Sequence, residues 1–115
     1  MVVEDDLSSR NALLLLLKHY GFDSIPAGTV AEAMMQLESQ PSVMILDLML
    51  PDGNGSEVLE HVRATRLPIQ VAVATGAGDW RAMVDESRLR PDAVFVKPLD
   101  SPRLVAWLET ACAVD

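Results

Sequence analysis

Cysteine is nearly missing from this 115-residue chain. The single Cys112 cannot close an internal disulfide, which excludes the stapled secreted scaffolds and fits a reducing compartment. Aromatic residues make up only 4%, so the core must be aliphatic. No apolar run approaches the ~20 residues that span a bilayer. Leu13 to Leu17 is too short for a signal core, and acidic rather than basic residues precede it. Basic residues are outnumbered, 9 against 17 acidic, for a net charge of −8. Direct nucleic-acid binding needs a basic face and is not expected. The 2 histidines, His19 and His61, fall on helices as surface residues, placed neither for catalysis nor for zinc. What is left is one soluble, cytoplasmic domain, half apolar by composition and long enough to bury a single core.

Along the chain, short apolar runs alternate with amphipathic segments. Met1-Val2-Val3 reads as the end of a buried strand, three residues where about five are usual, so the strand is either short or truncated. Ser8 or Ser9 can cap a helix through the leucines to about Tyr20, which Gly21 stops. Ser24-Ile25-Pro26-Ala27 reads as an edge strand, because Pro cannot donate to a central ladder. Thr29 and Glu32 form a capping box for a helix bearing Val30, Met34 and Leu37. Val43-Met44-Ile45-Leu46 is a continuous apolar run ending in Asp47, as in a strand buried on both faces. After the turn at Gly53 and Gly55, Ser56 caps a helix carrying Val58, Leu59 and Val62, which Pro68 breaks. Ile69 to Ala74 is the fourth strand, followed by Thr75-Gly76. A more polar helix runs from Asp79 to about Leu89. Ala93 to Val96 is the fifth strand, ending in Lys97-Pro98. Ser101 and Pro102, as cap and first helical residue, open a last helix with Leu104, Val105, Leu108 and Ala111.

Five strands alternating with five helices at short spacing predict a parallel sheet covered on both faces. Strand ends in such a sheet share one edge, and ligands bind there at the topological switch point. With strand order 2-1-3-4-5, Glu4, Asp5 and Asp47 converge at that point, with Thr75 and Lys97 on the neighbouring ends. Three carboxylates so close cannot all stay ionised without a cation or raised pKa values. An oxygen-only set selects a hard ion such as Mg²⁺. Taken singly, each residue has a plain reading: Asp6 as helix-terminal charge, Thr75 as a cap, Lys97 as a surface turn. Their joint placement on consecutive strand ends is what those plain readings leave unexplained.

The sequence resembles a receiver (response-regulator) domain of two-component signalling. The resemblance rests on Val2-Val3-Glu4-Asp5-Asp6, Ile45-Leu46-Asp47-Leu48-Met49-Leu50-Pro51-Asp52-Gly53, Val73-Ala74-Thr75-Gly76 and Phe95-Val96-Lys97-Pro98, in that order, and covers essentially the whole chain. It implies a flavodoxin-like (βα)5 three-layer sandwich and a single receiver domain over residues 1–115, with no effector domain in this chain. It implies that Asp47 accepts a phosphoryl group from a phosphohistidine on a sensor histidine kinase or histidine phosphotransfer protein, in a phosphorelay that needs Mg²⁺. In that picture Asp5 ligates the ion directly, Glu4 directly or through water, and Met49 through its backbone carbonyl. Lys97 and the Thr75 hydroxyl contact the phosphoryl group. The Lys97–Pro98 bond is expected to be cis, and Gly76 to leave the site accessible. The only chemistry implied is self-phosphorylation and its reversal, so no enzyme of external turnover is expected. Receivers of this kind often form homodimers.

One departure stands out. Three residues before its lysine the family commonly has an aromatic that moves with the threonine. Here Val94 holds that place and Phe95 points to the other face, which puts the usual coupling in doubt. Trp80 could report or replace that motion. The run Leu13 to Leu17 cannot be wholly buried on one helix, so a docking partner is a natural expectation at the exposed leucine. Two alternatives stand beside the switch: a degenerate receiver that only binds proteins, and a Mg²⁺-dependent phosphohydrolase with Asp47 as nucleophile. The haloacid-dehalogenase type of hydrolase would want a second Asp where Met49 stands. A flavodoxin-like cofactor binder would need a phosphate-cradling loop that this sequence lacks.

Overall fold

Hydrogen-bond register on Val2–Val3 (β1) sets the architecture of this computed structural model, which describes residues 1–76 and 90–112. β1 runs parallel between Pro26–Ala27 (β2) and Val43–Leu46 (β3), pairing Val3 with Ala27 on one side and with Leu46 on the other. Between β1 and β2 lies Leu7–His19 (α1), and between β2 and β3 lies Val30–Gln36 (α2), continued by a 3-10 turn over Leu37–Ser39. After β3 come a small antiparallel hairpin, Met49–Leu50 (β4) with Gly53–Asn54 (β5), and then Ser56–Ala64 (α3). Gln70–Thr75 (β6) and Ala93–Val96 (β7) complete the sheet, and Ser101–Ala111 (α4) closes the described chain. The sheet order is β2-β1-β3-β6-β7, all parallel. This is the doubly wound order read from the sequence. The helix expected over residues 79–89, and Trp80 within it, lie outside the described residues.

Side-chain alternation splits the core into two layers. Val3, Met44, Leu46, Val71 and Val73 face Leu37, Val58, Leu59 and Val62, beneath α2 and α3. Val2, Ile45 and Ala74 face Leu17, Leu104 and Leu108, beneath α1 and α4. β3 is therefore buried along its whole length, as its unbroken apolar run demands. Burial of each such side chain contributes about 2 kcal/mol. Pro26 sits on the sheet edge, where its missing N–H breaks no ladder bond.

Several caps differ from the sequence reading. Asp6, not Ser8 or Ser9, caps α1: its Oδ2 accepts from the Ser9 N–H at 2.9 Å. Asp100 caps α4, which moves Ser101 into the first helical position and Pro102 into the second. Gly55 precedes α3 without a side-chain cap, while Asn54 Oδ1 takes the Ser56 N–H. In each of these cases a carboxylate or amide just upstream competes with the hydroxyl and wins. Thr29 caps α2 as expected through the Glu32 N–H, but the Glu32 carboxylate reaches past it to the Gly28 N–H at 2.9 Å. The stretch after β3 reads as a plain turn in sequence; it is the β4–β5 hairpin.

Candidate functional site

The ladder that builds the sheet also places the acids. Asp47 N–H donates to Val3 O at 2.9 Å and Glu4 N–H to Ala27 O at 2.9 Å. Glu4 and Asp47 therefore leave the ends of adjacent strands side by side. Asp5 follows Glu4 out of the sheet, and the carboxylates of Glu4, Asp5 and Asp47 bring one oxygen each within 4.8 Å of one another. Glu4 and Asp47 are buried, while Asp5 is exposed.

Lys97 crosses the sheet from the end of β7 to meet them. Its Nζ donates to Glu4 at 3.0 and 3.1 Å and to Asp47 Oδ2 at 2.9 Å. Its backbone N–H bonds Thr75 O at 2.9 Å, tying the ends of β6 and β7. The Lys97–Pro98 bond is cis. Asp47 Oδ1 accepts from the Met49 N–H at 2.9 Å. Thr75 is fully buried at the end of β6. Gly76, exposed beside it, would hold a Cβ no closer than 3.9 Å to Lys97. The residues named from sequence thus gather at one edge, although Asp47 keeps only 5% of its surface, less open than Gly76 suggested.

The electrostatics follow from one lysine serving two acids. Burial, then the hydrogen bond with Asp47, pushes Glu4 up from its ordinary 4.5 to about 7, against the pull of Lys97. Burial would also raise Asp47, but hydrogen bonds from Glu4, the Met49 N–H and Lys97 outweigh it and hold Asp47 below the usual carboxylate range. Burial alone would lower Lys97, yet its bonds to Asp47 and Glu4 leave it raised. Of the two acids, Glu4 is the one pushed towards binding a proton near neutrality, chiefly by burial, while Asp47 also accepts from the Met49 N–H and stays low. A buried acid holding a proton near neutrality marks a site short of positive charge. Such a donor set, all oxygen and excess negative, suits a hard divalent cation.

Sequence reasoning missed three neighbours. A Cβ on Gly55 would overlap the Asp47 carbonyl oxygen, so the loop closes over Asp47 only with glycine there. Arg10 Nη1 reaches Glu4 O at 3.3 Å through space that Gly28 leaves open. Asp52 bonds α2 across 22 residues of sequence. The Gly-x-Gly and Asp-Gly patterns signal turns but not these long-range approaches.

On the other side of β7 the alternation holds. Val94 packs with the α2–α3 layer and Phe95 with the α1–α4 layer, edge to face with Trp107 at 6.3 Å. Among the leucines, Leu15 stands out at 70% exposed while Leu17 is buried. His19 and His61 are exposed on their helices.

Fold and site together define a doubly wound α/β protein whose acidic residues and Lys97 gather at the carboxyl ends of β1, β3 and β7, the edge where such sheets bind ligands. The chain belongs to the response regulator receiver domain family, whose sequence profile matches residues 1–109. It is 31% identical over 110 residues to the transcriptional regulatory protein CpxR homolog of Haemophilus influenzae, covering 95% of this chain and 48% of that one. It is 30% identical over 112 residues to the phosphate regulon transcriptional regulatory protein PhoB of Escherichia coli, covering 95% and 49%. The chain thus spans about half the length of the curated relatives it matches. A DNA-binding response regulator of the LuxR family from Staphylococcus aureus superposes with a TM-score of 0.82 at 27% identity, over 96% of this chain and 95% of that one. No described helix is long and apolar enough to cross a membrane.

Proposed function

We propose that this chain is a single phosphoacceptor receiver in which Asp47 takes a phosphoryl group from a phosphohistidine. The observation that carries the reading is Lys97 Nζ joined to both Asp47 and Glu4, with Asp5 beside them, at the switch point of the sheet. The Asp47 carboxylate attacks phosphorus, the P–N bond breaks, and the imidazole leaves neutral after taking up a proton. Water later attacks the same phosphorus, returning the carboxylate and inorganic phosphate. Attack of an anion on an anionic group is chiefly a matter of alignment and charge. The Met49 N–H orients one Asp47 oxygen, Lys97 supplies a fixed positive charge for a phosphoryl oxygen, and the Thr75 hydroxyl takes another. Glu4, Asp5, Asp47 and the Met49 carbonyl would hold Mg²⁺, which when bound offsets charge on the phosphoryl oxygens. Val94 leaves a phosphate-independent interaction module as the second reading.

Incubation with Mg²⁺ and acetyl phosphate, followed by intact mass, tests this. The chain should gain one phosphate, and Asp47→Asn should gain none. A parent chain that gains no phosphate moves the assignment to the interaction module, and turnover of external phosphate esters would move it to a hydrolase.

The donor we favour is a histidine kinase or phosphotransfer protein acting in the cytoplasm. α1 begins beside the site, and a groove of about 460 Å³ between α1 and the start of α4 is lined by Ala12, Leu13, Leu16, Pro98 and Leu99. Leu15, on the same helix, is exposed to solvent. Leu15→Gln should slow phosphotransfer from the protein donor several-fold, at the ~1–2 kcal/mol that one buried leucine brings to an interface, and leave acetyl phosphate unaffected. Equal slowing with both donors would count against docking there.

A further inference from the structure

Asp52 does something its place in an Asp-Gly turn does not require. Both of its carboxylate oxygens accept from the first two N–H groups of α2, Val30 at 2.8 Å and Ala31 at 3.1 Å. These bonds cross from the tip of the β4–β5 hairpin to another element. The hairpin itself has two residues per strand, too few to be rigid alone. Its first residue is Met49, whose N–H holds Asp47 Oδ1 at 2.9 Å. Its far end is fixed by the Gly55 N–H on Leu48 O at 2.8 Å. Its tip is held to the body of the domain by Asp52. α2 is a firm anchor, because Ala33 and the following Leu37 are buried in the core.

We propose that Asp52 is a positioning residue for the ion: it ties the hairpin to α2, so that Met49 presents its carbonyl to the cation and its N–H to Asp47. This rests on the reading that Asp47 and Met49 share that cation. Asp52 itself touches neither the ion nor the phosphoryl group.

The test is Mg²⁺ titration by calorimetry at pH 8 on the parent, Asp52→Ala, Asp52→Asn and Thr29→Ala. Thr29 caps the same helix through the Glu32 N–H at 3.0 Å but has no link to the hairpin. Loss of a supporting residue behind a metal ligand typically weakens binding tenfold or more. Asp52→Ala should therefore weaken Mg²⁺ about tenfold, Asp52→Asn less, and Thr29→Ala should match the parent. Should Asp52→Ala fail to fold, Asp52→Asn carries the comparison. Parent-like affinity in the Asp52 variants, or equal weakening in Thr29→Ala, overturns the positioning role and leaves the functional reading standing. A parent that binds no Mg²⁺ overturns both.

Discussion

Lys97→Met should lower the stability of the metal-free chain at pH 8 by about 3 kcal/mol, and Mg²⁺ should restore most of it. Methionine keeps the apolar stem that packs at the site, so the change removes little but the charge. Two acids with side chains 5% and 6% exposed then share no cation. Breaking a buried pair by removing one partner typically costs 3–5 kcal/mol. The lower end applies here, since Lys97 is itself 31% exposed and partly screened. The loss should be smaller at pH 5 than at pH 8, because without Lys97 to hold its pKa down Glu4 takes up a proton as pH falls towards 7 and one charge disappears. Urea denaturation at pH 8 and pH 5, with and without Mg²⁺, measures all of this. An unchanged midpoint at pH 8, or the same loss at both pH values, would contradict the account.

Mg²⁺ affinity should fall about tenfold for each pH unit below 7 and level off above it. Glu4 has a folded pKa of about 7 against an ordinary 4.5. Between those values the folded, metal-free chain binds more protons than the unfolded chain. The contribution of Glu4 to stability is therefore fully present below about 4.5 and is lost as pH rises through 7, about 3 kcal/mol in all. A cation reverses the preference, since it favours ionised Glu4 and expels the proton. At pH 6 close to one proton should leave for each ion bound. Calorimetry in buffers of different ionisation enthalpy reads that number directly. An affinity that stays flat between pH 5.5 and 7.5 would show that Glu4 does not hold the proton.

How much of this was legible in sequence depends on the distance over which each signal acts. β3 was plain, because four apolar residues running into an acid admit few alternatives. The strand order and the convergence of Glu4, Asp5 and Asp47 followed from parallel topology. The caps were harder. Asp6 and Asp100 compete with serines one to three residues away, and only the backbone geometry decides between them. The β4–β5 hairpin and the Asp52 bridge were invisible, because each depends on partners that local pattern does not name. In sequence Gly55 reads as a turn residue. What fixes it is the Asp47 carbonyl, eight positions back in the chain.

β7 carries the remaining consequence. Valine at position 94 has a stiff, branched side chain with few rotamers, wedged in the α2–α3 layer. It has no ring that can swing between an inward and an outward pose. The nearby aromatic, Phe95, is on the reverse face against Trp107, shielded from Thr75 by the sheet itself. A phosphorylation signal leaving this site through β7 lacks a rotor at that position. Under the proposed function, Val94 and Phe95 therefore supply no aromatic on the Thr75 face of β7 that could follow the threonine.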